Sequence, residues 1–408
     1  MIIEHQIDTT IRYSDIDMKI TLASNELHDL LQSASRLASS NIKGNQLSAS
    51  TVLLEVADGK LSVTSTDLET RLHQRMDLVS GGEGESFSFT VAPTQILTPI
   101  GELPTQNITL DFDPEEYLLQ VTYSNGNFQI PVSRSENFPE ATPLGDRRYT
   151  LEMKIDDLYS GLFHTLYTTQ TDESSVMSGV HVDARQEYIG FVGTNGYFLG
   201  LYKNFGLTHE LPEAEGELIP KTKDTFTLPK KSAKLLMSLL DKMENQSILI
   251  NVSDNFVSIS SDGLLLQCRL LGMKYPNYES VIPKNNDKEL IIDRAMFLSA
   301  LKRVSIFTDQ AIPMVSLDIS GNELLIRSRL LEYSSSAEER IPVSFSSEET
   351  VSMNFDPNLL KDVLNNFKGE NVLIKIGDAS RAIIVSPMDH AEEEDITATI
   401  MPVLYGNR

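Results

Sequence analysis

The 408-residue chain has little cysteine, few basic residues and no long apolar run. Its single cysteine, Cys268, excludes an intramolecular disulfide, so a reducing cytoplasm is the compartment we expect. No apolar run approaches the roughly 20 residues that a membrane-spanning helix needs, which predicts no membrane partner. The 34 Lys and Arg against 58 Asp and Glu give a formal charge of −24. Because a uniformly acidic surface repels nucleic acid, any role on DNA requires the basic residues to be gathered in one place.

Motifs for catalysis and metal binding are also scarce. Ser299 and Lys302 belong to an S-x-x-K tetrapeptide, but the Lys-Thr-Gly partner of penicillin-recognising serine enzymes is missing. The chain has no G-x-x-x-x-G-K-[ST] phosphate loop, and its seven histidines lack metal-ligand spacing. The carboxylate run AEEED at 391–395 is typical of a solvated loop. A site in which carboxylates from separate parts of the chain hold two metals remains an alternative. The sequence therefore predicts a binding protein with no catalytic residue, no metal site and no cofactor.

One pattern recurs along the chain. FTLPKKSAKLLMSLLDKMENQSILINVS, at 226–253, is typical of a strand, a helix that starts at proline, and an alternating strand. FTVAPTQILTPIGELPTQNITLDFD, at 89–113, and MNFDPNLLKDVLNNFKGENVLIKIG, at 353–377, repeat it. The closing strands begin at 107, 247 and 371, which gives a period of about 130 residues.

A second series is offset within each period. Its members are MKITLASNELHDLLQSASRL from 18, YTLEMKIDDLYSGLFHTLYTT from 149 and ELIIDRAMFLSALKRVSIF from 289. Each indicates a strand, a helix and a meander, with hairpin-turn sequences such as ADGK and SGNE. Six segments in a fixed alternating order are hard to explain as coincidence among generic α+β segments.

The two series predict an α+β fold of three tandem domains, each made of two βαβββ-like half-units. We expect a flexible extension over 1–17 and domains over 18–145, 146–285 and 286–408. Equivalent domains in a row make an arc with complementary ends, so two chains can close head to tail. The resulting ring would be lined by helices and would carry its antiparallel sheets outside.

Basic residues are enriched in the predicted helices. The six predicted helix segments together carry a formal charge of +1, which leaves −25 on the rest of the chain. The charges are −1 for 24–39, −1 for 93–103, −1 for 154–168, +2 for 229–244, +2 for 293–307 and 0 for 356–368. Weak, sequence-independent attraction of this kind suits sliding along duplex DNA. The predicted DNA-facing residues are Lys230, Lys231, Lys234, Lys242, Arg294, Lys302 and Arg303. Ordinary solvated helix faces are the alternative interpretation.

From 18 to about 405 the chain resembles the bacterial sliding clamp family, the beta subunit of DNA polymerase III. The matching stretches are VADGKLSVTSTDLE (56–69), GTNGYFLGLY (193–202), KYPNYESVIPKNNDK (274–288), LDISGNELLI (317–326) and TIMP (399–402). Their order and spacing make the resemblance specific. It implies the DNA clamp fold and a non-catalytic processivity factor that encircles duplex DNA as a ring-shaped homodimer. On the same basis Lys43 is a further candidate for contact with DNA.

The resemblance also implies a pocket between the second and third domains. There the replicative polymerase alpha subunit, the clamp loader and other proteins with a clamp-binding motif would dock a short apolar peptide. Carried over by position, the pocket residues are Met177, Thr194, Gly196, Tyr197, Phe198, Leu199, Pro276, Ser280, Val281, Ile312, Asp356, Leu359, Ser380, Ala382, Thr399, Met401, Pro402 and Val403. Plain core packing is the alternative for residues such as Leu199 and Val281.

Two departures from the family pattern concern the peptide preference and the C-terminal wall of the pocket, which the resemblance therefore does not determine. Tyr197 and Phe198 replace the usual His-Arg pair after the pocket-loop glycine, so the loop is more apolar. The chain reads MPVLYGNR where the family commonly stops just after Met-Pro-Met-Arg-Leu.

The resemblance further implies that the ring closes between the first domain of one chain and the third domain of another. The facing residues would be Phe128 and Ile130 on one side and Ile306 and Phe307 on the other. An internal cluster within the monomer is the alternative for these residues. The alternative function is an acidic repeat scaffold that binds proteins through the same pocket without encircling DNA.

Overall fold

The computed structural model describes residues 18–38, 50–84, 86–206, 223–243, 247–330 and 334–404. The predicted extension 1–17 and the predicted DNA contact Lys43 lie outside the described residues. The chain divides into two compact units. The first comprises Met1–Asp146, Leu249–Asn251 and Phe256–Arg269, and the second comprises Arg147–Ile248, Val252–Asn255 and Leu270–Arg408. The three-domain division drawn from the repeats stays a prediction.

Six α-helices occur among the described residues, each within a predicted segment. They are α1 Ser24–Ser35, α2 Pro93–Gly101, α3 Ile155–Phe163, α4 Lys230–Leu240, α5 Arg294–Val304 and α6 Pro357–Asn365. They pack in consecutive pairs, α1 with α2, α3 with α4 and α5 with α6. In α4 the apolar face formed by Leu235, Leu236 and Leu239 is buried, as its spacing predicts. No helix in the described part of the chain is long and apolar enough to cross a bilayer.

The first unit contains two antiparallel sheets around one core. Numbered in chain order, its strands are β1 Lys19–Ala23, β2 Val52–Ala57, β3 Lys60–Thr66, β4 Thr70–Asp77, β5 Phe87–Val91, β6 Asn107–Asp113, β7 Leu118–Tyr123, β8 Gly126–Pro131, β9 Ser133–Arg134, β16 Phe256–Ser261 and β17 Leu264–Arg269. One sheet has the order β1-β6-β7-β8. The other strands of this unit have the order β9-β5-β2-β3-β4-β17-β16 and are part of a nine-stranded sheet. Alternating apolar residues of β1 to β8 and the inner faces of α1 and α2 form the core.

The predicted ADGK hairpin joins β2 to β3. Ala57 pairs with Lys60 across the turn, and Asp58 and Gly59 both have positive φ, 52° and 71°. This is the backbone that a two-residue hairpin of matching twist requires. The turn chemistry is therefore local, which explains why the sequence alone predicts it.

The second unit also contains two antiparallel sheets. Its strands are β10 Arg147–Lys154, β11 Val180–Arg185, β12 Ile189–Thr194, β13 Phe198–Asn204, β14 Lys223–Leu228, β18 Lys288–Asp293, β19 Val315–Ser320, β20 Glu323–Leu330, β21 Ser335–Pro342, β22 Ser344–Phe345, β23 Val351–Phe355, β24 Asn371–Ile376, β25 Ile383–Pro387 and β26 Glu394–Ile400, and residues of β15 Ser247–Ser253 belong to both units. A nine-stranded sheet has the order β14-β11-β12-β13-β26-β25-β24-β18-β22, and a four-stranded sheet runs β21-β20-β19-β23.

Two paired glycines allow the chain after α3 to lie directly on the sheet. Gly193 in β12 is opposite Gly200 in β13. A Cβ atom at Gly193 would overlap the carbonyl oxygen of Thr165, and one at Gly200 would overlap that of His164. The backbone of residues 164–168 therefore packs against a part of the sheet that has no side chains. Packing therefore explains Gly193 and Gly200 of GTNGYFLGLY.

We expect Gly193→Ala to lower the free energy of unfolding by about 1–3 kcal/mol, because the added methyl group must displace backbone. Urea unfolding followed by circular dichroism measures this change. Gly272→Ala is the matched control, since no atom lies within 4 Å of its Cβ position. Equal stabilities of the two variants would contradict the packing argument.

His164 is a buried titratable group at the end of α3. Its ring stacks on Tyr202, with 5.9 Å between ring centroids, and lies 6.2 Å from the ring of Phe367. Burial among these rings disfavours the charged imidazolium and lowers the pKa of His164 to about 4. His164 is therefore neutral in the folded protein at pH 7.

Acidification should destabilise the protein through His164. The unfolded side chain, with a pKa near 6.5, takes up a proton before the folded one does, so stability falls from about pH 6.5 down to about pH 4, by about 3 kcal/mol at most. Urea unfolding of wild type and His164→Phe at pH 7 and pH 4.5 tests this. The variant should lose less stability between the two pH values; an identical loss would show that other groups cause it.

Candidate functional site

The loop between β12 and β13 is fixed by its own hydrogen bonds. Thr194 Oγ1 donates to Phe198 O (2.7 Å) and accepts from the N–H of Gly196 (3.1 Å). Asn195 Oδ1 accepts the N–H groups of Tyr197 and Phe198, at 2.9 and 3.1 Å. Gly196 has a φ of +91°, which glycine adopts at little cost. The loop buries Phe198 and leaves Tyr197 exposed to solvent.

The end of β26 lies beside this loop. Leu199 in β13 is opposite Thr399 in β26, and the N–H of Met401 donates to Tyr197 O at 2.9 Å. Thr399 is buried within β26, whereas Met401, just past the end of the strand, is exposed. Tyr197 and Met401 are therefore neighbours at the surface.

The residues after Met401 continue to the start of α6. Pro402 is buried, and the N–H of Val403 donates to Asn354 O at 2.7 Å. Asp356 caps α6, since its Oδ1 accepts the N–H of Asn358 at 2.8 Å. The structure thus gives Asp356 a helix-capping role, and half-buried Leu359 follows in the first turn of α6.

The turn before β25 supplies two more of the predicted residues. Ile383 in β25 is opposite Ile400 in β26, which places buried Ala382 near the end of β26. Ser380 is exposed, and its Oγ donates to Asp378 Oδ1 within the turn at 2.5 Å. Both residues therefore lie on the side of β26 opposite to β13.

A segment of coil forms another side of the site. Tyr275, Tyr278, Leu199 and partly buried Met177 belong to one apolar cluster. The same segment carries Pro276, Ser280 and Val281, and all three residues are exposed. Leu199 is buried, so the alternative interpretation of plain core packing fits it. Val281 is exposed, so core packing does not fit it.

Exposed apolar side chains distinguish this region from the rest of the core. The exposed fractions are 70% for Tyr197, 59% for Val281, 71% for Ile312, 44% for Met401 and 61% for Leu404. Ile312 lies in the loop after α5, where its N–H donates to Asp309 Oδ1 at 3.0 Å. None of the contacts described for Tyr197, Met401 and Val281 involves it. An extended apolar peptide could bind such side chains through hydrophobic anchors.

The basic residues of α4 differ in their surroundings. Lys230 is half-buried, and its Nζ donates to the carbonyl oxygens of Thr169 (3.0 Å) and Gln170 (3.3 Å). Burial lowers the pKa of Lys230, and the nearby charge of Lys234 lowers it further. The other three predicted residues of this region, Lys231, Lys234 and Lys242, are exposed.

The basic residues of α5 divide in the same way. Arg294 is held within the chain, because its Nε donates to Gly369 O (2.9 Å) and its Nη1 to Leu364 O (3.0 Å). Arg303 is exposed but forms a two-point ion pair with Glu339, at 2.5 and 2.9 Å. Lys302 is exposed. Lys230 and Arg294 therefore bind backbone carbonyl oxygens, a role that the charge pattern did not indicate.

Two family models match the chain, and both describe the same protein. The DNA polymerase III beta subunit, N-terminal domain, matches residues 18–142, and its C-terminal domain matches residues 279–404. Together the two matches cover more than half of the chain. The chain belongs to the DNA polymerase III beta subunit family.

Curated relatives are similar over nearly the whole length. The beta sliding clamp of Synechococcus elongatus is 24% identical over 392 residues, which cover 95% of this chain and 99% of the relative. The beta sliding clamp of Escherichia coli K12 is 25% identical over 358 residues, 86% of this chain and 91% of the relative. As a member of this family the chain is a sliding clamp, a non-catalytic processivity factor, which confirms the predicted function.

Solved structures show the same fold. The sliding clamp of Pseudomonas aeruginosa bound to griselimycin has a TM-score of 0.84 and 22% identity, and the match covers 95% of this chain and 100% of that one. The beta subunit of Thermotoga maritima has a TM-score of 0.81 and 22% identity, with the same coverage. The predicted α+β clamp fold is thereby confirmed.

The residues predicted to join two clamp subunits lie on different kinds of surface. β8 is an edge strand, but Ile130 is buried in the core of the first unit and Phe128 packs half-buried against it. This is the placement that the internal-cluster alternative describes. Ile306, 73% exposed, and Phe307 lie in the turn after α5, and β21 is an edge strand of the second unit.

Sequence reasoning missed one exposed apolar residue near the pocket. Leu404 follows Val403 directly and is as exposed as the predicted anchors. The available signal was an apolar residue in the tail MPVLYGNR, where the family pattern departs from the chain. In the part of the chain that the structure describes, no group of three or more His, Cys, Asp or Glu side chains is placed to hold a metal ion.

Proposed function

We propose that this clamp encircles duplex DNA as a homodimeric ring and tethers the replicative polymerase through the pocket around Tyr197 and Met401. The observation that carries the proposal is the repetition of one architectural unit, a helix pair backed by antiparallel sheets, at α1–α2, α3–α4 and α5–α6. Repeats of this kind can form an arc, and two arcs with complementary ends close into a ring. The predicted domains 18–145, 146–285 and 286–408 correspond to one helix pair each.

Exposed lysines on the helices support contact with DNA. Lys231, Lys234, Lys242 and Lys302 remain at the surface of a chain whose formal charge is −24. A few phosphate contacts give weak attraction that depends on salt and not on base sequence, so the protein can slide. Lys230 and Arg294 support the DNA-facing helices from within, because their side chains bind backbone carbonyl oxygens.

The apolar pocket supports docking of an extended peptide. Partners of this kind are the polymerase alpha subunit, the clamp loader and other proteins with a clamp-binding motif. The clamp of Pseudomonas aeruginosa has been solved bound to griselimycin, and we propose that the compound binds this chain too. Tyr197 would offer such ligands an aromatic surface with little conformational freedom to lose.

Ring closure would join two copies through their sheet edges. Unpaired edge strands such as β8 and β21 expose hydrogen-bonding groups that favour pairing with another chain. Exposed Ile306 would then be covered by the partner copy, while Phe128 and Ile130 would support β8 from its own core. A reducing cytoplasm remains the compartment predicted for this assembly.

We expect the double variant Lys234→Glu/Lys302→Glu to dissociate from circular DNA several-fold faster than wild type, because two attractive contacts become repulsive. The measurement is retention on nicked circular DNA after loading by a clamp loader, with linearised DNA in parallel. Lys19→Glu/Lys60→Glu, which makes the same charge change on two exposed sheet residues of the first unit, should match wild type.

Loss of wild-type clamp from linear but not circular DNA is expected for a ring. Equal retention on both would favour the acidic scaffold that does not encircle DNA. Unchanged retention of the double variant would contradict the basic helix surface.

Deletion of residues 401–408 should abolish peptide binding and leave the dimer intact, because Met401 and Val403 form one side of the pocket. Fluorescence anisotropy of a short labelled peptide rich in Leu and Phe, with griselimycin as competitor, measures binding; analytical ultracentrifugation measures the dimer. Deletion of residues 405–408 is the control. A monomeric 401–408 deletion would mean that this segment belongs to the subunit interface instead.

A further inference from the structure

The coil segment that carries Pro276, Ser280 and Val281 has little regular structure of its own. Between Leu271 and Asn277 it is neither helix nor strand, and a short 3-10 turn follows over Tyr278–Val281. A backbone hydrogen bond from Leu271 N–H to Thr227 O (3.1 Å) fixes its start, and side-chain contacts position the rest. We call residues 272–282 the wall segment.

A buried carboxylate on β11 holds the wall segment at Tyr278. Asp183 is fully buried, and its Oδ2 accepts the hydroxyl of Tyr278 at 2.6 Å. The same oxygen accepts Nη2 and Nε of Arg185, at 2.8 and 3.1 Å. Arg185 Nη2 also donates to Glu279 Oε1 at 2.8 Å. Because a buried carboxylate is stable only when paired and hydrogen-bonded, Tyr278 and Arg185 are both needed at this place.

An aromatic stack holds the same segment at Tyr275. The ring of Tyr275 lies parallel to that of His181, with 4.3 Å between centroids and 8° between planes. His181 Nδ1 is 3.0 Å from Thr227 Oγ1 on the neighbouring strand β14. Tyr275 and Tyr278 both pack into the cluster that contains Leu199, the residue beside the pocket loop. The two tyrosines thus connect the wall segment to the sheet that carries Tyr197.

The wall segment has open space on another side. Leu271 to Glu279 border a cavity of about 580 Å³, whose far side is formed by Arg148, Thr225 and Asp254. Arg148 in turn forms ion pairs with Asp224 (3.1 Å) and Asp254 (3.6 Å). Since close packing does not support the segment there, the contacts of Tyr275 and Tyr278 determine where it lies.

We propose that Asp183 and Tyr278 are positioning residues for peptide binding. Their hydrogen bond sets the place of Pro276, Ser280 and Val281, and through these residues it sets the affinity of the clamp for a partner peptide. Neither side chain contacts the peptide itself. The inference rests on the proposed peptide pocket and assigns to it a buried support that lies outside its lining.

The test compares Tyr278→Phe, Asp183→Asn and the double variant in the full-length clamp, with the labelled Leu- and Phe-rich peptide as probe. Tyr278→Phe should weaken peptide binding about tenfold, because the loss of a hydrogen bond to a charged group frees the wall segment. Glu279→Gln is the matched control at the exposed end of the same network and should bind within about twofold of wild type.

The double variant separates coupled residues from independent ones. If Asp183 and Tyr278 act through one hydrogen bond, the double variant should bind no more weakly than the weaker single variant, whereas independent effects would multiply. Hydrogen exchange should rise in residues 272–282 of Tyr278→Phe, with little change in the six helices. Tyr278→Phe alone decides the question if Asp183→Asn does not fold.

Three results would overturn the inference. If wild type binds the peptide and Tyr278→Phe binds it equally well, the pocket stands and the positioning role is wrong. If Tyr278→Phe loses affinity together with protection throughout the second unit, the residue is merely structural. If wild type itself does not bind the peptide, the proposed pocket is wrong, and the inference that depends on it is wrong as well.

Discussion

The antiparallel pairing of β13 with β26 is the interaction on which the proposed peptide pocket depends. It joins Phe198–Asn204 to Glu394–Ile400, and Tyr202 reinforces it by donating its hydroxyl to Glu394 at 2.7 Å. Side chains alternate between the two faces of a strand, so a slip of one residue would turn Met401 away from Tyr197. The register of this one strand pair therefore decides whether distant parts of the chain form a common surface.

Rigid supports surround that strand pair. On one side the backbone of residues 164–168 lies on Gly193 and Gly200, where no side chain intervenes. On another side Tyr278 reaches the buried carboxylate of Asp183. A binding site is accurate only when the groups behind its lining are themselves fixed. The second unit provides this through backbone packing in one place and through a charged hydrogen bond in another.

Local signals predicted the regular elements, and distant contacts limited the prediction of the site. The helix pattern of Leu235, Leu236 and Leu239 is complete within two turns, so sequence periodicity is enough to find α4. Lys230 is different: its partners are the carbonyl oxygens of Thr169 and Gln170, about 60 residues away. A charge count assigns such a lysine to solvent, because nothing in the neighbouring sequence reports the carbonyl groups that the fold brings to it.

Tyr197 owes its position to backbone hydrogen bonds and not to its own side chain. Thr194 and Asn195 fix the loop through hydrogen bonds, and the phenol ring of Tyr197 projects into solvent. If the proposed pocket binds peptides, replacement of such a residue changes what the surface recognises at little cost to folding. Ligand preference at the proposed pocket could thus diverge while the scaffold is retained, and a compound aimed at this surface would meet a residue whose replacement costs the fold little.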